Sequence, residues 1–569
     1  MRAAEIVAEA AAAHSHSRCL PAPTPAPRCC CCWLWRDPRT VLQALRYDSL
    51  LRRLDKVPGI VAQLIERDVY HKLSRSVETD RLNIPDVELD QQFWYDEAQA
   101  AINARLAHKE SVKKARNVVM FLGDGMSVPT LAAARTLLGQ RRGHTGEEAQ
   151  LAFEKFPTVG LAKTYCVDAQ VADSACSATA YLGGVKANIA TIGVSARVPH
   201  GACAAARDPA HHVHSIAEWA LSDGRDAGTR PLLYYCIVYS IALRYWHSFT
   251  CIVTTTRVTH ASPAGAYAHT AHRDWEADAD VAASCAAAPA RQDDIALQLV
   301  HAYPGDHFKV PLTLGIAALT DCGGRREFLP NSTIDEEGSR GKRLDGRNLI
   351  EEWQESKRAR NASHRYVWNR EQLLAAAEEQ PEYLLGLFEG SHMQYHMQAD
   401  PATEPTLAEL TEVAIRSLSR NQNGFFLFVE GGRIDHAHHE NLVQLSLDEA
   451  IELSAAVERA AQLLGEEDSL LVVTADHAHV MTVSGYSPHA ATHKRALRTG
   501  PGTTACHDVN FAFPASVPLD SETHGGDDVA VFARGPHHSM FTGLYEQSQL
   551  PHLMAYAACI GPGRHACRH

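Results

Sequence analysis

The sequence predicts an α/β fold on a buried sheet of parallel strands, and three observations carry that expectation. The apolar runs at 118–122, 425–429 and 470–473 lack the alternation of a half-exposed strand, so both of their faces are covered. Each run empties into a loop rich in Gly, Asp, Glu or His, the place where open α/β sheets bind ligands. Between them lies 171–186, where Asp173 and Ser174 precede Ala178, Ala180 and a Gly pair, the pattern of a packed helix opened by an acid and a hydroxyl.

The chain has 569 residues, 45% hydrophobic and 21% charged, as in an ordinary soluble enzyme, and such a length fits one large elaborated α/β domain. A net charge of −13 argues against a nucleic-acid partner. Residues 1–85 read as an extension without assignable function: 20–28 is Pro-rich, and 41–76 has helical periodicity broken at Pro58. Glu5 and Glu9 interrupt the first apolar run, so no signal peptide is recognisable. From residue 86 the texture is that of an enzyme, beginning with a helical stripe of Phe93, Trp94, Ala98, Ala101 and Ile102 that suits packing or a partner.

In chain order, the strand at 118–122 delivers Asp124 between two glycines, which let backbone and metal approach closely; alone, this is equally a structural Asp-Gly turn. Ser174 follows at a helix N-terminus, where free N–H groups suit a phosphate, although alone it reads as an ordinary N-cap. A β-branched strand at 253–257 leads to His260 and Ser262, and then to Arg273, whose planar fork can hold two phosphate oxygens or form a surface ion pair. Glu430 ends the strand at 425–429, and Asp435 and His439, four apart, share a helix face; His436 and His438 point elsewhere. Asp476 and His477 end the strand at 470–473, and His524 stands in a polar turn before a further strand. A single histidine is usually structural. Carboxylate and imidazole at successive strand ends imply a cluster of divalent metals.

These segments resemble the alkaline phosphatases of the animal type, from about residue 86 to 567, through Gly-Asp-Gly, Asp-Ser-Ala, Val-Thr-Thr-Thr-Arg-Val-Thr-His-Ala-Ser-Pro-Ala-Gly, Glu-Gly-Gly-Arg-Ile-Asp-His-Ala-His-His and Thr-Ala-Asp-His-Ala-His. The resemblance implies a three-layer sheet flanked by helices, a shortened crown region at 486–517, and hydrolysis of phosphate monoesters through a phosphoserine. It implies that Asp435, His439 and His524 hold one zinc, and that Asp124, Asp476, His477 and Ser174 hold a second. Asp124, Ser262 and Glu430 would hold magnesium, with Asp173 and His260 beside the site; Ser174 would be the nucleophile and Arg273 the phosphate clamp. A calcium site would comprise Glu337, the Phe388 carbonyl, Glu389 and Glu404. The partners implied are small phosphate monoesters and a second copy in a homodimer.

The apolar segment 229–252 departs from the family pattern as an insert before a core strand, and its run is too short to span a bilayer. Cys559 and Cys567 resemble the family's terminal disulfide, and Cys203 matches a half-cystine for which Cys285 is a candidate partner. Asn331 and Asn361 stand in glycosylation sequons. Family members sit outside the cell, often on a glycolipid anchor; neither an anchor signal nor a leader is recognisable here. A related metal phosphodiesterase is the same-class alternative, and a non-catalytic surface protein of this fold the different-class one. The Ser174, Arg273, Ser262 and Glu430 set favours the monoesterase, and a sulfatase would want a Cys/Ser-x-Pro-x-Arg setting that is absent around Ser174.

Overall fold

The structure, a computed structural model, describes residues 91–107, 109–222, 249–285, 293–308, 319–483 and 523–567. The chain divides into two compact units, Met1–Arg75 and Ser76–His569. The first unit, most of the insert at 229–252 and the crown segment at 486–517 lie outside the described residues.

A helix α1 (Gln91–Ala107) precedes the sheet, with Trp94 and Ile102 half exposed. Ten strands then form one sheet: β1 (Asn117–Gly123), β2 (Thr158–Lys163), β3 (Phe249–Arg257), β4 (Leu319–Gly323), β5 (His364–Val367), β6 (Tyr383–Leu387), β7 (Phe425–Gly431), β8 (Ser469–Ala475), β11 (Val529–Arg534) and β12 (Gly543–Glu546). A short ribbon of β9 (Ala478–His479) and β10 (His524–Gly525) stands apart. The sheet order is β12-β2-β11-β8-β1-β7-β3-β4-β6-β5. All neighbours pair parallel except at β11, which runs against both β2 and β8. The predicted parallel sheet is therefore mixed.

Every residue of β1, β7 and β8 is buried, which accounts for the unalternating apolar runs. Helices cover both sheet faces as crossovers require: α2 (Val128–Arg141), α3 (Ser174–Gly183), α4 (Ala261–Ala264), α5 (Leu407–Leu418), α6 (Arg433–His439), α7 (Val443–Leu463) and α8 (Leu550–Ala558) are those that bear on the site. Helix starts carry their expected chemistry: Ser127 caps α2 by accepting from Thr130 N, and Thr406 with Glu409 forms a reciprocal capping box on α5.

The register aligns the ends of the central strands. Gly123 pairs with both Gly431 and Ala475, and Thr254 with Glu430, so β8, β1, β7 and β3 release their chains at one edge. That shared edge is where the predicted ligands leave the sheet.

Candidate active site

Asp124 follows β1 directly, and its backbone N–H donates to the Gly431 carbonyl at 3.3 Å. Gly125 turns the chain at φ 66°, and a Cβ there would overlap the His479 ring and lie 3.1 Å from Asp435 Oδ1. Only glycine satisfies both the left-handed backbone and the close approach. Gly125 N donates to Asp476 Oδ1 at 2.9 Å, which joins the ends of β1 and β8.

Ser174 is the first residue of α3 and is buried. Its Oγ lies 3.2 Å from His477 Nε2 and 3.4 Å from both carboxylate oxygens of Asp124. Asp173 caps the helix, accepting from Cys176 N at 3.2 Å and from Ala190 N at 2.9 Å. Its other oxygen accepts from Arg273 Nη1 at 3.0 Å, while Arg273 Nη2 lies 3.1 Å from His260 Nε2. The guanidinium is thus held from two sides beside the helix N-terminus.

Three sets of carboxylate and imidazole groups meet around this serine. His477 Nε2 is 3.0 Å from Asp476 Oδ2 and 3.5 Å from Asp124 Oδ1. Asp435 Oδ1 is 3.5 Å from His439 Nε2 and 3.4 Å from His524 Nε2, and those two imidazole nitrogens are 3.1 Å apart. Glu430 accepts from Thr254 Oγ1 and, at 3.2 Å, from Thr256 Oγ1. Asp124, His260 and Glu430 bring their ligand atoms within 4.8 Å of one another. All the residues predicted for catalysis, the zinc pair and magnesium, as well as Asp173 and His260, therefore lie in one contiguous site.

The electrostatics of this pocket call for cations. Asp124, Glu430 and Asp476 are fully buried. Burial first, and then neighbouring carboxylates, raises Asp124 well above the usual carboxylate range; the same causes raise Asp476 and push Glu430 up to about 7. Asp435 behaves oppositely: burial opposes ionisation, but hydrogen bonds from His479 and His524 override it and hold the carboxyl low. Burial and the His524 charge depress His477, and burial and Arg273 depress His260, so both imidazoles stay neutral and able to ligate. Ser262 Oγ, Glu430 Oε1 and His260 Nδ1 are buried without a hydrogen-bond partner. Orphaned oxygens between uncompensated carboxylates fit divalent metals.

His479 joins the site without having been expected there. It is buried, hydrogen-bonds Asp435, and pairs across the ribbon with His524. The signal was available: residues 477 and 479 share one face of an extended chain, so a ligand at 477 brings 479 towards the same site. His438 turns away to Thr130 Oγ1 at 3.0 Å, as expected.

The residues named for calcium include a second group of acids. Glu404 lies against Glu389 and accepts from Gln394 N at 3.0 Å; burial and the Glu389 charge raise it to about 8. Glu337 belongs to the same group, where Arg325 Nη2 reaches it at 2.8 Å. Phe388 follows β6. A protein cation already faces one side of these acids.

Two disulfides are described, Cys203–Cys285 and Cys166–Cys176; the first matches the candidate pair and the second was not anticipated. Cys559 is disulfide-bonded, and the Cys567 side chain lies outside the described residues. Asn331 and Asn361 are exposed.

Comparison with known proteins agrees with this geometry. The family model described as alkaline phosphatase matches residues 115–230, 247–504 and 501–560, so its match is interrupted inside the segment 229–252. The membrane-bound alkaline phosphatase of Bombyx mori is 55% identical over 513 residues, covering 84% of this chain and 87% of that protein. The tissue-nonspecific alkaline phosphatase of Homo sapiens is 40% identical over 519 residues, covering 85% and 91%. Among solved structures, Thermus thermophilus alkaline phosphatase superposes with a TM-score of 0.54 at 20% identity over 79% of this chain and 93% of that one, which speaks to the fold. With its sheet, its strand-end acids and its serine-headed helix accounted for, the chain belongs to the alkaline phosphatase family, the metal-dependent hydrolases of phosphate monoesters.

Proposed function

We propose that Ser174 is the nucleophile of phosphate monoester hydrolysis in this chain, and that the strand-end acids and imidazoles hold two zinc ions and one magnesium ion. The observation that carries this reading is the convergence of Ser174 Oγ with His477 and Asp124 at the N-terminus of α3, with Arg273 fixed beside it. Asp435, His439 and His524 would hold one zinc, Asp124, Asp476, His477 and Ser174 the other, and Asp124, Ser262 and Glu430 the magnesium. When bound, such ions supply the Lewis acidity that activates a hydroxyl and water near neutral pH and offset the buried negative charge.

The chain's own groups account for the rest. Arg273, turned by Asp173 and His260, presents guanidinium N–H groups to the non-bridging phosphate oxygens, a match of planar fork to oxyanion. The open N–H groups of the first turn of α3 add positive potential at the same point. Ser174 Oγ attacks phosphorus in line, the alcohol departs, and a phosphoserine forms; water then attacks from the vacated side and releases phosphate. Donors fixed before reaction, as Arg273 is, carry the larger part of such rate enhancement.

The measurement that decides is turnover of a chromogenic phosphate monoester alongside metal content. Ser174→Ala is expected to lower kcat by more than about a thousandfold while the zinc pair is largely retained. Full turnover by that variant would remove Ser174 from the reaction.

We further propose a homodimer at the outer face of the cell. Two disulfides support an oxidising compartment. Trp94 and Leu106 on α1, and Val159 and Leu544 at one edge of the sheet, expose apolar surface suited to a second copy. Among the described residues no helix is long and apolar enough to cross a membrane, so attachment would be through a lipid anchor. Glu337, Glu389, Glu404 and the Phe388 carbonyl would hold a calcium ion, an all-oxygen set of the kind that ion prefers.

A further inference from the structure

We propose that the Cys166–Cys176 cystine is a positioning element for phosphate, acting through Asp173 on Arg273; this rests on the reading of Arg273 as the phosphate clamp. Cys176 stands two residues beyond Ser174 in the first turn of α3. Its N–H is the donor that Asp173 caps, and its Sγ lies 3.5 Å from the Asp173 carbonyl oxygen. Through the disulfide the same residue is tied to Cys166, in the segment between β2 and α3.

Cys166 and Cys176 are buried with Ala172 and Ala187 in a small apolar cluster separate from the main core. The other ties on this segment reach past the far end of the helix: Val167 N donates to Ala187 O at 2.9 Å, Ile189 N to Asp168 Oδ1 at 2.8 Å, and Lys186 Nζ to Tyr165 O at 2.9 Å. The cystine is the covalent tie at the first turn, beside a contact of His524 Nδ1 with Ala172 O at 2.8 Å, and there Asp173 must face the helix N–H, Ala190 and Arg273 at once. Without it, that turn keeps non-covalent ties alone: the Asp173 cap, Ser177 N donating to Asp173 O at 3.2 Å and the His524 contact with Ala172 O. A carboxylate displaced there turns the guanidinium away from the phosphate it is set to receive.

The test is competitive inhibition by inorganic phosphate, measured on the metal-loaded enzyme for Cys166→Ala/Cys176→Ala, with Cys203→Ala/Cys285→Ala and Arg273→Ala as controls. The cystine variant is expected to raise the phosphate inhibition constant and KM roughly tenfold, with kcat changed much less, because only oxyanion recognition is disturbed. The Cys203/Cys285 control is expected to lower the melting temperature and leave the inhibition constant alone. An unchanged inhibition constant in the cystine variant, or an equal change in the control, overturns the proposal. If Arg273→Ala also leaves phosphate inhibition unchanged, the clamp reading itself has failed. Should the double variant not fold, the native enzyme is opened stepwise with a water-soluble phosphine, which takes oxygen from water to become its oxide as the cystine gains two electrons and two protons. Alkylation then maps the free thiols, and the inhibition constant must rise in step with opening of Cys166–Cys176; a rise that follows the other pair overturns the proposal.

Discussion

At the scale of single residues, the site depends on groups that never touch substrate. His479 hydrogen-bonds Asp435 from a fully buried position, so His479→Ala is expected to weaken metal binding about 10- to 100-fold, read by titrating zinc back into the chelated protein. Gly125→Ala forces a Cβ into that same imidazole and is expected to lower bound zinc and turnover together; wild-type metal content in this variant would show that the turn can relax. Site residues were legible in sequence where the strand-end pattern marked them, as at Asp124, Glu430 and Asp476. His479 was legible only in part: its spacing from His477 points it to the same face, but its pairing with His524, 45 positions away, is reported by no periodicity within either segment. The Cys166–Cys176 bridge escaped for a similar reason: spacing does not select a partner among 15 cysteines.

Elements are governed by burial, and their signals were the strongest in the sequence. The runs at 118–122, 425–429 and 470–473 emerged as β1, β7 and β8, with both faces covered. Phe428 is fully buried in β7 and stacks on Tyr181 of α3 at 6.2 Å between ring centroids, linking the sheet to the serine-bearing helix. Phe428→Ala is expected to cost about 3–5 kcal/mol in denaturant unfolding and to loosen α3 over the sheet. Helix α7 buries an acid: Glu449 accepts from His396 N at 2.7 Å, yet burial pushes its carboxyl up to about 7. A carboxyl raised in the folded state adds stability that is fully present below about pH 4.5 and is lost as pH rises through about 7. Glu449→Gln, which keeps the acceptor, is expected to stabilise the protein above pH 7, by roughly 3 kcal/mol at most, and to make no such difference near pH 4. Thermal melts across that range check the sign. Among the described residues, the reversed strand of the ten-stranded sheet, β11, was not foreseen, since strand direction follows from how the chain crosses the sheet rather than from local composition.

For the whole molecule, the dominant electrostatic fact is a set of fully buried acids at a single sheet edge. Bound cations offset that charge, and ions that bind only the folded state stabilise it by mass action. Chelation is accordingly expected to lower the melting temperature, with recovery on adding zinc and magnesium; a melt indifferent to chelator would contradict the assignment of these acids as ligands. The exposed apolar surface on α1 and at the β2–β12 edge predicts a dimer by sedimentation, and Trp94→Glu with Leu106→Glu is expected to shift it towards monomer.

The level ends of β8, β1, β7 and β3 have a bearing on biosynthesis. The groups they bring together span positions 124 to 524, so a chain emerging from the ribosome holds the first ligand long before the last exists. Domains fold from the N-terminal side as synthesis proceeds, and here the early strands must wait with their acids uncompensated until β8 and the β9–β10 ribbon close the edge. With the ligands proposed above, metal loading is expected to be a late event, since no shorter nascent fragment holds the full set.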